Sequence, residues 1–154
     1  MSTQDNSPTS GQPTLQQAVD LYQSGDLVAA IKLYEQILQH TPNDYQALHF
    51  LGVAKGRLGD WQIGIELIQK SLTVKADYAD AYNTLGYALN QLKRYEEAIP
   101  CYEKATTYKE NYAEAYSNWG DALLALKRNE EAVLCYQKSI DINPANAEVY
   151  KNQG

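Results

Sequence analysis

The residues that usually carry chemistry are scarce in this chain. There are two cysteines, two histidines, one methionine and one phenylalanine among 154 residues. Cys101 and Cys135 stand 34 positions apart, in the same phase of a repeating pattern. Equivalent positions on stacked helices lie about 8–10 Å apart or more, whereas a disulfide needs Cα atoms within about 7 Å. Two free thiols are therefore expected. With His40 and His49 the cysteines form no zinc-ligand spacing, so no metal is expected. No phosphate loop, GxSxG or HExxH pattern occurs. Neither cysteine has a histidine nearby in sequence, which gives nucleophilic catalysis little support. No cofactor is expected, and the chain is expected not to be an enzyme.

Long apolar runs are also missing. None approaches the ~18–20 residues required to cross a bilayer. The start, MSTQDNSPTSGQP, has neither the basic opening nor the apolar stretch of a secretory signal. Its Ser, Thr, Gln, Pro and Gly content predicts a disordered tail over residues 1–13, and a cytoplasmic location is expected. Positive charge is sparse: 13 basic against 19 acidic residues give a net charge of −6. Residues 1–77 hold 5 basic and 8 acidic groups and residues 78–154 hold 8 and 11, so each half carries −3. With no basic block to neutralise phosphates, nucleic acid and anionic membrane are disfavoured as partners.

What the chain does have is repetition. Leu51-Gly52, Leu85-Gly86 and Trp119-Gly120 follow one another at steps of 34 residues. Ala30, Gly64, Ala98 and Ala132 keep the same step, as do Tyr34, Ile68, Tyr102 and Tyr136. A fixed period of this size marks one supersecondary unit copied and stacked.

Residues 79–112 show what the unit is. Tyr82, Leu85, Ala88, Leu89 and Leu92 recur at three- and four-residue steps, the spacing of one helix face. Lys93-Arg94 interrupts the pattern, and Tyr95, Ala98, Ile99, Tyr102 and Ala105 resume it. A helix, a tight turn and a second helix are predicted. Glu96-Glu97 and Glu130-Glu131 fall in the first turn of second helices, where the partial positive charge of the helix start favours them. Asp26 and Asp60 stand at N-cap positions after Gly25 and Gly59. A glycine inside a helix costs about 1 kcal/mol against alanine, so Gly52, Gly86 and Gly120 at one phase need a packing reason. Close approach of the second helix supplies it. The 13 tyrosines also fall into register. Tyr34, Tyr102 and Tyr136 share one slot, Tyr78 and Tyr112 another, and Tyr82, Tyr116 and Tyr150 a third. They are expected to pack with their hydroxyl ends wet.

These residues resemble the tetratricopeptide repeat family. Residues 79–112 supply Tyr82, Leu85-Gly86, Leu89, Ala98, Tyr102 and Ala105. Residues 113–146 supply Tyr116, Trp119-Gly120, Leu123, Ala132, Tyr136, Ser139 and Pro144. Residues 45–78 and 11–44 match less fully, and 147–154 read as the start of a fifth unit. The departures are Ala76 and Glu110 where the family prefers proline, Ile37 where it prefers alanine, and Pro100 inside a second helix. The array is expected to fill residues 14–154. The resemblance implies an all-α fold, a right-handed superhelical stack of helix-turn-helix repeats (an α-solenoid).

It also implies a concave groove, lined by first helices, that grips proteins or peptides. Carried over by register, the groove slots hold His49, Phe50 and Val53; then Asp80, Asn83, Thr84 and Tyr87; then Glu114, Ser117, Asn118 and Asp121; then Lys151 and Asn152. Family members that hold carboxylate tails use a clamp of Lys, Arg and Asn. Here those slots carry His49, Val53, Asn83, Thr84 and Tyr87, with Asp80, Glu114 and Asp121 beside them, which disfavours such a ligand. Thr84, Asn118 and Asn152 form a partial row resembling the asparagine rows of repeats attached to O-linked sugar transferases. The expected function is a protein- or peptide-binding scaffold. The alternative is the substrate-recruiting part of a larger enzyme such as an O-linked glycosyltransferase. Self-association through the repeat ends is a further expectation.

Overall fold

A computed structural model describes residues 11–147. Residues 1–10 and 148–154, which include most of the expected tail, Lys151, Asn152 and the partial fifth repeat, lie outside the described residues. Among the described residues eight helices follow in order: α1 (Leu15–Gln23), α2 (Leu27–His40), α3 (Tyr45–Arg57), α4 (Trp61–Val74), α5 (Ala79–Gln91), α6 (Tyr95–Tyr108), α7 (Ala113–Ala125) and α8 (Asn129–Ile142). No strand occurs among the described residues. Odd and even helices pair as hairpins, and each hairpin packs on the next. Successive first helices touch one another (α1 with α3, α3 with α5, α5 with α7), whereas no such contact joins successive second helices among the described residues. The first helices therefore form the inner side of a curved wall, an α-solenoid.

The helices begin in two different ways. Thr14, Asp26, Asp44 and Asp60 cap α1 to α4 with side-chain oxygens that accept from Gln17, Ala29, Ala47 and Ile63 backbone N–H groups. The later second helices use charge instead. Arg94 makes a bidentate pair with Glu97 at 2.6 and 2.7 Å, and Arg128 with Glu131 at 2.8 and 2.6 Å. The tight turns change in step. Gly25 and Gly59 hold φ of 90° and 100°, and Lys93 and Lys127 adopt the same left-handed region at 58° and 60°. A side chain there is disfavoured by Cβ crowding. The doublet Gly-Asp in the first two repeats thus becomes Lys-Arg in the last two.

The second helices end alike with or without proline. Thr41, Lys75, Lys109 and Asn143 leave the helix at φ between −129° and −137°. The missing prolines at Ala76 and Glu110 therefore do not lengthen α4 or α6. Pro100 does not break α6, which has 14 residues like α2, α4 and α8.

The interior glycines mark close crossings, as their phase predicts. A Cβ on Gly52 would sit 2.8 Å from the Gly64 carbonyl oxygen, and one on Gly64 2.7 Å from the Gly52 oxygen. In the later repeats the obstacle is an aromatic ring rather than the small residue opposite. A Cβ on Gly86 would meet the Tyr102 ring at 2.6 Å, and one on Gly120 the Tyr136 ring at 2.7 Å. The expectation of wet hydroxyls fails for two of the three tyrosines in this slot, whereas Tyr136 is half-buried and its hydroxyl donates to the exposed Asp121. Tyr34 and Tyr102 are wholly buried. Asn90 Nδ2 donates to the Tyr102 hydroxyl oxygen at 2.8 Å, while the Tyr34 hydroxyl has no hydrogen-bond partner among the described residues.

Candidate functional site

The inner helices carry the expected groove residues among the described ones, and divide them into two sets. The first set is engaged inside the stack. His49 and Asn83, expected in the groove, are only 5% and 4% exposed. His49 Nε2 lies 2.9 Å from Thr84 Oγ1 in the next repeat. The Thr84 hydroxyl spends its proton on the Asp80 carbonyl at 2.8 Å. Nε2 therefore carries the imidazole proton, and Nδ1 accepts from the Tyr78 hydroxyl at 3.1 Å. One repeat further on, Asn118 Nδ2 donates to Asn83 Oδ1 at 3.1 Å, and the Tyr112 hydroxyl donates to Asp80 Oδ1 at 2.8 Å. The two rungs, His49–Thr84 and Asn83–Asn118, join residues at the same register across consecutive junctions. In the first junction the corresponding pair is Leu15 and Phe50, and both are partly buried against the apolar cluster of repeats one and two.

Burial governs the electrostatics of this ladder. It lowers the His49 pKa to about 4, against a smaller opposing pull from Asp80. It raises those of Tyr78 and Tyr112, with the neighbouring Asp80 carboxylate pushing the same way. With both nitrogens bonded and the ring 5% exposed, His49 sits at the junction between two repeats. The Thr84–Asn118 row is likewise drawn into rungs between helices.

The second set faces outward. Val53, Tyr87 and Glu114 line a cavity of about 220 Å³ together with Tyr22, Arg57 and Trp61, and Asn83 and Thr84 of the first set also contribute to its wall. Tyr87 is 41% exposed, and its ring meets Trp61 edge-on at 5.5 Å. The Arg57 guanidinium lies 5.0 Å from the centre of the Tyr22 ring. Ser117 and Asn118 are half-buried and Asp121 is exposed on α7. Burial raises the Asp121 pKa, although the Tyr136 hydroxyl donates to it at 2.6 Å. Sequence reasoning missed Tyr22, Arg57 and Trp61. A signal for Trp61 was present in Gly56, a helix-interior glycine outside the repeating phase. A Cβ there would run into the Trp61 ring, so Gly56 is what lets the indole lie against α3.

Cys101 and Cys135 are free, as expected. Burial pushes both thiols up to about 11, which leaves little thiolate at neutral pH. Among the described residues no cluster of side chains has the composition of a metal site, and no helix is long and apolar enough to cross a membrane.

A curved wall of paired helices with a polar and aromatic inner face defines the class: an α-solenoid. The tetratricopeptide repeat family matches residues 43–111 and, one repeat later, 77–145. The chain belongs to that family. No curated protein matches it. Among solved structures, a crystal structure of MamA protein is 25% identical with a TM-score of 0.76, over 87% of this chain and 73% of that one. MamA from Desulfovibrio magneticus, beginning at its residue 41, is 25% identical with a TM-score of 0.74, over 82% and 72% of the two chains. PilF of Pseudomonas aeruginosa is 24% identical with a TM-score of 0.79, over 84% and 60%, and shows the likeness of fold. The repeats and the MamA structures support a protein-interaction scaffold in general terms.

Proposed function

We propose that the concave face binds an extended segment of a partner protein, and that the chain acts as a scaffold rather than a catalyst. The observation that carries this reading is the cavity over α3, α5 and α7. There Tyr87 stays exposed beside Trp61, and Glu114 and Arg57 have no ion-pair partner among the described residues. A groove held open by the stack before the ligand arrives lowers the ordering cost of binding on the protein side. The glycosyltransferase alternative rests on the asparagine row. Asn118 is bonded to Asn83 within the stack, and no observation favours that reading.

The test starts with a partner identified by pull-down on the intact array. Val53→Glu combined with Tyr87→Ala should weaken its binding at least tenfold, with far-ultraviolet circular dichroism unchanged. Full binding by the folded double variant would move the interface off the concave face. Asn83→Ala is unsuitable here, because it removes a buried rung and would lower stability as well.

A further inference from the structure

The cavity is not symmetric in charge. Glu114, Asn118 and Asp121 follow one another at four- and three-residue steps along α7, which places them on one stripe of that helix. Glu114 lines the cavity. Neither Glu114 nor Asp121 has an ion-pair partner among the described residues, whereas Asp80 nearby is paired with Lys109 at 3.6 Å. On the other side stands Arg57, its guanidinium over Tyr22. Trp61, Tyr87 and Val53 line the same cavity, Tyr87 from α5, which touches both α3 and α7. The Trp61 and Tyr87 rings sit at 72° to one another, so they form a corner rather than a flat stack. A corner of this kind accepts one bulky apolar side chain. The charges then fix which neighbour that side chain can have. A cation lying towards α7 meets the Glu114 carboxylate in the cavity and, two turns further along the same stripe, Asp121. The Asp121 carboxylate has a hydrogen bond from the Tyr136 hydroxyl but no cation beside it among the described residues. A cation on the opposite side meets Arg57.

We propose that the groove selects a peptide segment in which a bulky apolar residue, seated on Trp61 and Tyr87, is flanked on the α7 side by lysine or arginine. This specificity rests on the groove reading above and deepens it. The ligand class is the opposite of an acidic tail, because an added carboxylate beside Glu114 and Asp121 is repelled.

The test uses the full chain, low ionic strength to limit screening, and three blocked hexapeptides. One carries phenylalanine followed by two lysines, one has glutamates in place of the lysines, and one has serine in place of the phenylalanine. Titration is followed calorimetrically, with circular dichroism as the check on folding. The lysine peptide should bind at least tenfold more tightly than the glutamate and serine peptides. Glu114→Gln with Asp121→Asn should shrink the lysine–glutamate difference to under twofold while keeping the preference for phenylalanine. Tyr87→Ala should weaken every peptide that carries phenylalanine. If lysine and glutamate peptides bind equally and both are weakened by Tyr87→Ala, the groove binds peptides but the charge selection is overturned. If none binds, or if the lysine peptide binds regardless of both variants, the groove reading falls together with this specificity.

Discussion

Single residues in this protein show how burial changes the meaning of a polar side chain. In sequence, His49 is a lone histidine on a first helix. In the fold it is shut between two repeats, with Thr84 and Tyr78 taking both of its nitrogens, and its pKa falls to about 4. The unfolded chain takes up the proton near pH 6.5 and the folded chain resists it. Stability is therefore lost as pH falls from about 6.5 towards 4. At ~1.4 kcal/mol per pH unit the loss reaches about 3 kcal/mol. Urea denaturation at pH 7 and pH 4.5 should show that loss, and His49→Gln should remove most of its share of it. An unchanged slope would mean that the ring is protonated inside the fold. Tyr34 gives the opposite case. Its hydroxyl is buried with no hydrogen-bond partner among the described residues, and an unpaired buried donor costs about 1–3 kcal/mol. Tyr34→Phe should leave stability equal or raise it by up to about 1 kcal/mol, whereas a loss above that would reveal a bound water.

Helices tolerate local misfits because each is clamped between neighbours. Pro100 is the sixth residue of α6 and lies on its exposed side. Its ring removes the N–H that would reach the Glu96 carbonyl and crowds that oxygen. The helix still runs its full length, since Ala98, Tyr102 and Ala105 on the opposite face are wholly buried. Pro100→Ala should stabilise the protein by about 1–3 kcal/mol in thermal or urea unfolding. No gain would mean that α6 relaxes around the proline at little cost. The same clamp explains what was legible in the sequence. Period and phase, carried by Gly52, Gly86, Gly120, Ala98 and Ala132, gave both the hairpins and their crossings, because backbone proximity is a property of the position. The groove was half legible. Register brought together Val53, Tyr87 and Glu114, which line one cavity, but it could not tell that His49 and Asn83 are bonded to the next repeat. Side-chain partners across a junction depend on what stands 35 residues away, and the pairs differ from one junction to the next. Tyr22, Arg57 and Trp61 escaped because they come from helix ends, where slots vary from repeat to repeat.

At the scale of the whole molecule the stack has two unlike ends, and the repeat itself supplies the ruler. One slot runs Asp20, Ala54, Ala88, Ala122. The three alanines are wholly buried against the repeat before them, and Asp20, with no repeat before it in the described chain, is exposed. In this slot the first described repeat is polar where the later ones are apolar. A second slot runs Ile31, Ile65, Ile99, Val133. Ile31 and Ile65 are 8% and 3% exposed in clusters that include the following repeat, Ile99 is half-buried, and Val133 is 64% exposed. The trailing end keeps the apolar residue of the interior slot with no described helix behind it. In a stack whose stability comes from nearest-neighbour interfaces, one slot should carry very different energies along the chain. Ile65→Ala should cost about 2–4 kcal/mol, the range for emptying a filled core position. Val133→Ala should cost under about 0.5 kcal/mol, as surface changes do. Urea unfolding of the two variants at low protein concentration makes the comparison, and repeating it at high concentration asks whether Val133 becomes covered when chains meet. Equal losses at low concentration would show that the trailing face is already packed within a single chain, and the two ends would then be alike.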